Sequence, residues 1–89
     1  MYTPSKDRLG QPLPVMFWMY GGGYVLGDGY QLGLYDGAYL ASTKNVIIVT
    51  INYRLGPFGF FYVQGQVNGN QAIEDQRLAL QWTIDNIAK

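Results

Sequence analysis

Three consecutive glycines, Gly21-Gly22-Gly23, follow directly on the apolar run Leu13-Pro14-Val15-Met16-Phe17-Trp18-Met19-Tyr20. Glycine loses more backbone entropy on folding than any other residue, so a triplet at a strand end answers a conformational need. One such need is a tight turn, the ordinary use of glycine in a loop. The other is a cradle for an anion or oxyanion, because bare N–H groups have no side chain standing over them. For a glycine triplet on its own the tight turn is the favoured reading. Few other residue types here could carry chemistry. Cysteine and histidine are absent from the 89 residues, so the chain offers no disulfide, no zinc cluster, no thiol nucleophile and no imidazole base. No metal and no cofactor is expected. Ser5 and Ser42 lie outside any strand–turn–helix context that could activate a hydroxyl.

Composition narrows the class further. Hydrophobic residues make up 48% of the chain and aromatic ones 16%, while charged residues reach only 13%. No formal charge falls between Leu9 and Leu26 or between Leu55 and Ile73. A self-sufficient small domain carries more polar surface than this, so the chain reads as the interior of something larger. Six basic and six acidic residues cancel. They form no basic stripe to hold a phosphate backbone, and nucleic acid is not an expected partner. No apolar run approaches the roughly 20 residues that span a bilayer. Residues 1–8 lack the hydrophobic segment of a signal peptide, and no Asn-x-Ser/Thr site is present, so compartment is not readable.

The elements that must position the triplet follow in chain order. Tyr2 to Gln11 reads as an exposed connection ended by Pro12 and Pro14. The span 13–20 is predicted as a strand, apolar on both faces and therefore covered on both. Residues 21–33 are loop, with a further turn at Gly27-Asp28-Gly29. A helix is predicted over Tyr35 to Ser42, closed by Thr43-Lys44-Asn45. The span 46–52 is a second buried strand, β-branched at each position from Val46 to Ile51. Strand, helix, strand in this order is a βαβ unit. Gly56-Pro57 is expected to break regular structure, and Gln64 to Asn70 to form a polar loop. A long helix is predicted over 71–88, capped by Asn68 or Asn70. Glu74 and Asp75 in its early turns and Lys89 at its end suit the helix dipole. Its inward face is predicted as Ile73, Leu80, Ile84 and Ile87, broadened by Leu78 and Trp82.

The ordered series Tyr2-Thr3-Pro4, Leu13-Pro14-Val15, Tyr20-Gly21-Gly22-Gly23, Tyr35-Asp36-Gly37, Asn52-Tyr53-Arg54, Gly69-Asn70, Asp75-Gln76, Arg77-Leu78-Ala79-Leu80-Gln81-Trp82 and Asp85-Asn86-Ile87-Ala88 resembles the type-B carboxylesterase and cholinesterase family. It covers nearly all of the chain. The resemblance implies an α/β fold in which residues 1–89 form part of a single α/β-hydrolase domain, a partial sheet followed by the long helix. It implies a serine carboxylic-ester hydrolase whose oxyanion hole falls on the backbone N–H groups of Gly22 and Gly23, with a small carboxylic ester as substrate. Tyr24 matches an aromatic that lines the substrate gorge in relatives; plain loop packing explains it equally well. Arg54 and Asp75 resemble a family ion pair, and charges in apolar surroundings are tolerable only when paired. Ala72 stands where relatives usually have Gly, and Ile73 where they have Leu.

By the same resemblance, the Gly-x-Ser-x-Gly elbow would begin a few residues after Lys89, with the acid and the histidine later still. A hydroxyl cannot be activated without a base, so the 89 residues alone are expected to be inactive and to need the rest of their domain for stability. Relatives of this kind are often secreted. The alternative reading is a piece of a non-catalytic, cholinesterase-like adhesion protein that shares the fold and acts as a binding module. An intact glycine triplet leans against it.

Overall fold

The computed structural model of the protein describes residues 1–4 and 10–88. Ser5 and Lys89, on which two of the expectations rest, lie outside the described residues. Strand β1 (Val15–Trp18) pairs in parallel with β2 (Ile47–Thr50), Val15 standing opposite Ile47 and Trp18 opposite Thr50. Both strands are shorter than the apolar runs that announce them. At the front of β1, Pro14 has no N–H for a ladder, although its carbonyl accepts the Ile47 N–H at 2.9 Å. At the rear, Tyr20 leaves the sheet for partners described below.

Tyr2 corrects the expectation of an exposed opening segment. It forms an antiparallel bridge with Ile48, each N–H donating to the other's carbonyl at 2.8 and 2.9 Å. β2 is thus flanked on both sides, and its Ile48 and Val49 are buried. β1 has no second neighbour among the described residues. Val15, Met16 and Trp18 remain 39–48% exposed, so the predicted cover on both faces is not supplied here. A chain this short cannot bury all of its apolar surface.

Side chains alternate across a strand, which gives Met16, Trp18, Ile48 and Thr50 one face. Helix α1 (Ala38–Lys44) lies along it, and Leu40 helps to line a groove of about 250 Å³ there. α1 starts later than the predicted Tyr35. The Asp36 side chain accepts the Ala38 N–H at 2.8 Å, a turn that occupies the preceding residues. Asn45 ends the helix in the left-handed conformation, with φ of 54°.

Gly56-Pro57 does not break the chain. It opens a short helix, α2 (Gly56–Phe60), where the missing proline N–H has no intrahelical partner to lose. The expected polar loop after it holds a small hairpin, β3 (Tyr62–Val63) with β4 (Val67–Asn68), closed by a 2.9 Å bond from Gln66 N–H to the Val63 carbonyl.

Helix α3 (Gln71–Asn86) follows. Asn70 occupies the cap position without a side-chain capping bond, and its own N–H donates to Asn68 Oδ1 at 2.9 Å. The predicted inward face is right only at Ile87, which is half-buried and lines a space beside Val15 and Ile47. Ala72 and Thr83 are buried, whereas Ile73, Leu78, Leu80, Trp82 and Ile84 are 43–63% exposed. Two contacts set this rotation. Ala72 meets Gly59 of α2 at close range, its Cβ 2.9 Å from where a Gly59 side chain would begin. Asp75 is held by Arg54. Small residues let the two helix backbones approach, and the ion pair fixes which side of α3 faces them. The larger apolar residues are left outside. Tyr20, Tyr53 and Ala72 form the buried cluster at this junction, with Tyr35, Ile51, Leu55 and Phe60 packed against it.

Candidate functional site

Because β1 and β2 run in parallel, the loops that leave their carboxyl ends lie side by side, the place where open α/β sheets bind ligands. Residues 19–34 leave β1, and residues 51–55 leave β2. Hydrogen bonds join them, the last through Gly56 at the head of α2. Tyr20 Oη donates to the Tyr53 carbonyl at 3.1 Å, and Tyr53 Oη donates to the Tyr20 carbonyl at 2.6 Å. The Gly29 N–H donates to Asn52 Oδ1 at 2.8 Å, and the Gly56 N–H to the Tyr24 carbonyl at 2.7 Å. The two tyrosine rings stack with centroids 4.5 Å apart and an interplanar angle of 15°. Burial is the main influence that raises the Tyr53 hydroxyl above its ordinary ionisation range, with Tyr20 and Tyr24 adding to it.

The glycine triplet occupies the cleft this arrangement leaves, about 240 Å³ in volume, with Met19, Tyr20, Tyr24, Tyr53 and Gln76 around it. Among the described residues, no charged side chain lines it. Gly22 adopts φ of +146° and Gly23 φ of +61°, values open to glycine and costly for other residues. The Gly22 carbonyl turns inward and accepts the N–H groups of Val25 and Leu26 at 3.2 and 3.3 Å. A side chain at Gly22 would collide with the Leu26 carbonyl, whereas one at Gly23 would meet nothing within 4 Å. Among the backbone hydrogen bonds of the described residues, neither Gly22 N–H nor Gly23 N–H is a donor. Since the two ends of a trans peptide point in opposite directions, the inward Gly22 carbonyl aims the Gly23 N–H away from the turn.

Tyr24 is held at φ of 65°, unusual for a residue with a side chain. Its ring is about half exposed and meets Phe60 edge-on at 5.1 Å. Arg54 and Asp75 lie outside the cleft. The guanidinium engages the carboxylate with two bonds, Nε to Oδ2 at 2.7 Å and Nη2 to Oδ1 at 2.8 Å. The Arg54 backbone N–H adds a third at 3.0 Å. The side-chain bonds from Arg54 hold Asp75 below the usual carboxylate range against the opposing effect of burial, and the same bonds raise Arg54. This pair ties α3 to the segment leaving β2, and so places Gln76 beside the glycines. Asp28 accepts the backbone N–H groups of Gln31 and Tyr30, which lowers its pKa, and shapes the far side of the loop.

The sequence points to the glycines, Tyr24, Arg54 and Asp75, and the fold gathers the three glycines and Tyr24 in the cleft while the Arg54–Asp75 pair stands outside it. The stacked, reciprocally bonded Tyr20 and Tyr53 and the Asn52 bond to Gly29 went unread. One signal was available: each tyrosine stands two or three residues past the end of one of two neighbouring parallel strands.

A parallel strand pair with α1 along one face, Thr83 and Ile87 of α3 beside Val49 and Ile47 on the other, and a glycine loop at its carboxyl ends defines a partial unit of the α/β-hydrolase class. Comparison with known proteins agrees. The model of the Carboxylesterase family matches residues 1–89, and the chain belongs to that family. It is 51% identical over 89 residues to the acetylcholinesterase of Danio rerio, an alignment covering 98% of this chain and 14% of that protein. With the para-nitrobenzyl esterase of Bacillus subtilis (strain 168) the identity is 46%, covering 97% of this chain and 17% of the relative. A solved PNB esterase structure superposes with a TM-score of 0.83 at 46% identity, covering 91% of this chain and 18% of its own. The chain thus spans less than a fifth of the length of the relatives it matches.

Proposed function

We propose that this chain is the oxyanion-hole segment of a serine carboxylic-ester hydrolase, with Gly22 and Gly23 as the donors. When a nucleophile supplied by another part of the domain attacks an ester carbonyl, the carbonyl oxygen gains negative charge as the tetrahedral intermediate forms. The N–H groups of Gly22 and Gly23 receive that charge, each such donor being worth about 3–4 kcal/mol of barrier. Tyr24 lines the approach for the substrate. Residues 1–89 form part of one domain, depend on its remainder for stability, and have no turnover alone, because the described cleft contains donors and no nucleophile or base. Relatives named as acetylcholinesterase and para-nitrobenzyl esterase support an ester substrate. The observation that carries the reading is the pair of glycine N–H groups without a protein acceptor, in an uncharged cleft at the strand ends.

The test is Gly22→Ala in the longer hydrolase that carries this sequence. A methyl group there meets the Leu26 carbonyl and forces the loop to move. Loss of one donor is expected to lower kcat for p-nitrophenyl acetate by about 100-fold or more, with a small change in KM. Unchanged kcat in a folded variant refutes the assignment.

A further inference from the structure

We infer that Tyr53 is a positioning residue for the oxyanion loop, and that its hydroxyl acts through the Tyr20 carbonyl. The inference rests on the proposed function above and extends it to a residue outside the glycine triplet. Tyr20 contributes the last carbonyl before the glycines. In an unbroken sheet that carbonyl would accept from a neighbouring strand. Here the acceptor is met by a side chain, Tyr53 Oη, at 2.6 Å.

The Tyr20 carbonyl and the Gly21 N–H belong to one rigid peptide plane. Fixing the carbonyl therefore fixes the plane from which the triplet starts. The Gly22 carbonyl, held by Val25 and Leu26, fixes the plane at the other end. Between these two anchors only glycine torsions remain, and glycine restrains them less than any other residue could. Tyr53 thus supplies the entry restraint that the triplet cannot supply for itself.

The surroundings suit that role. Tyr20 is 4% and Tyr53 8% exposed, so water is a poor substitute for the missing donor. The stacked rings keep the hydroxyl in line. The mirror bond, Tyr20 Oη to the Tyr53 carbonyl at 3.1 Å, joins the same two loops but touches no peptide plane of the triplet. The two hydroxyls can be removed separately: Tyr53→Phe removes the bond to the Tyr20 carbonyl, and Tyr20→Phe removes the Tyr20 Oη contacts to the Tyr53 backbone while leaving that carbonyl bond in place.

The experiment compares both variants in the longer hydrolase that carries this chain. kcat is taken per site titrated with a phosphonate ester, so that unfolded protein does not count. Both variants are expected to lower the melting temperature by similar amounts. Tyr53→Phe is expected to lower kcat about tenfold with KM within twofold, and to weaken binding of a trifluoromethyl ketone, a mimic of the tetrahedral intermediate, in parallel. Tyr20→Phe, which leaves the Tyr53 hydroxyl bond to the Tyr20 carbonyl in place, is expected to lower kcat by a smaller factor than Tyr53→Phe. Equal kcat losses in the two variants, or a Tyr53→Phe enzyme with full kcat, overturn the inference. Gly22→Ala, run alongside, separates the two ideas: if it loses kcat while Tyr53→Phe does not, the oxyanion reading stands and the positioning role falls.

Should Tyr53→Phe fail to fold, a fluorinated tyrosine at position 53 provides the readout. Its hydroxyl ionises at lower pH than tyrosine and then cannot donate. The groups that face it are the Tyr20 and Tyr24 hydroxyls and, from α3, the neutral Gln76. A new alkaline limb in the kcat profile, absent from the unmodified enzyme, is expected; an unmoved profile overturns the inference.

Discussion

Gly59→Ala puts two opposing effects at one position. Gly59 lies inside α2, is buried, and has no positive φ, so alanine fits its backbone. In a helix interior the exchange should stabilise by about 0.5–1 kcal/mol, because glycine is the costlier residue to order. Packing works the other way. The added Cβ would meet the Arg54 carbonyl oxygen in direct collision, the Arg54 carbonyl carbon at 2.9 Å and the Ala72 Cβ at 2.9 Å. None of these is the far end of a flexible side chain, so α2 has to move away from α3. Overpacking of this kind costs about 1–3 kcal/mol, which leaves a net loss of up to about 2.5 kcal/mol. The assay is a thermal melt of the longer hydrolase that carries this chain, followed by circular dichroism and compared with the unchanged protein. A melting temperature at or above that of the unchanged chain would show that helix propensity wins and that the contact between α2 and α3 is looser than described.

Arg54→Met and Asp75→Asn are expected to be strongly non-additive in a double-mutant cycle on melting temperature, since each breaks the same charged, two-bond pairing; additive effects would dissolve the pair. Asp75 also sets a pH dependence. Its folded pKa lies below the ordinary 3.8, so its contribution is fully present above that value and is lost as pH falls through the lower, folded one. Asp75→Asn should flatten that acid limb in a pH series of melts. Met16 is 48% exposed on β1, whose outer edge is unpaired among the described residues. Met16→Lys is therefore expected to slow aggregation of the 89-residue chain, followed by light scattering, at nearly constant melting temperature; faster or equal aggregation would place the sticky surface elsewhere.

Much of the local structure was legible because its causes are local. The β-branched run from Val46 to Ile51 has few alternatives to a strand, and three glycines after an apolar run announce a loop with unusual torsions. The misreadings have physical causes too. Pro57 was read as a breaker, yet the first turn of a helix is where proline does no harm. The residues from Gln64 to Asn70 look like loop because two-residue strands leave no periodic trace. On α3 the apolar stripe through Ile73, Leu80 and Ile84 predicted the wrong side. Close approach at Gly59 and Ala72, with Arg54 on Asp75, outweighs that stripe among these residues.

What the sequence determined alone, then, is the order of strand, glycine loop, helix, strand and long helix, together with the resemblance carried by motifs in that order. Propensity, turn chemistry and periodicity act over a few residues and can be read from a linear string. Only the tertiary structure decided that Tyr53 reaches across 33 residues to the Tyr20 carbonyl, that Tyr2 closes the open side of β2, and which side of α3 faces α2. Those choices depend on which groups meet when distant segments pack, and a carbonyl's need for a donor does not say from where in the chain the donor will come.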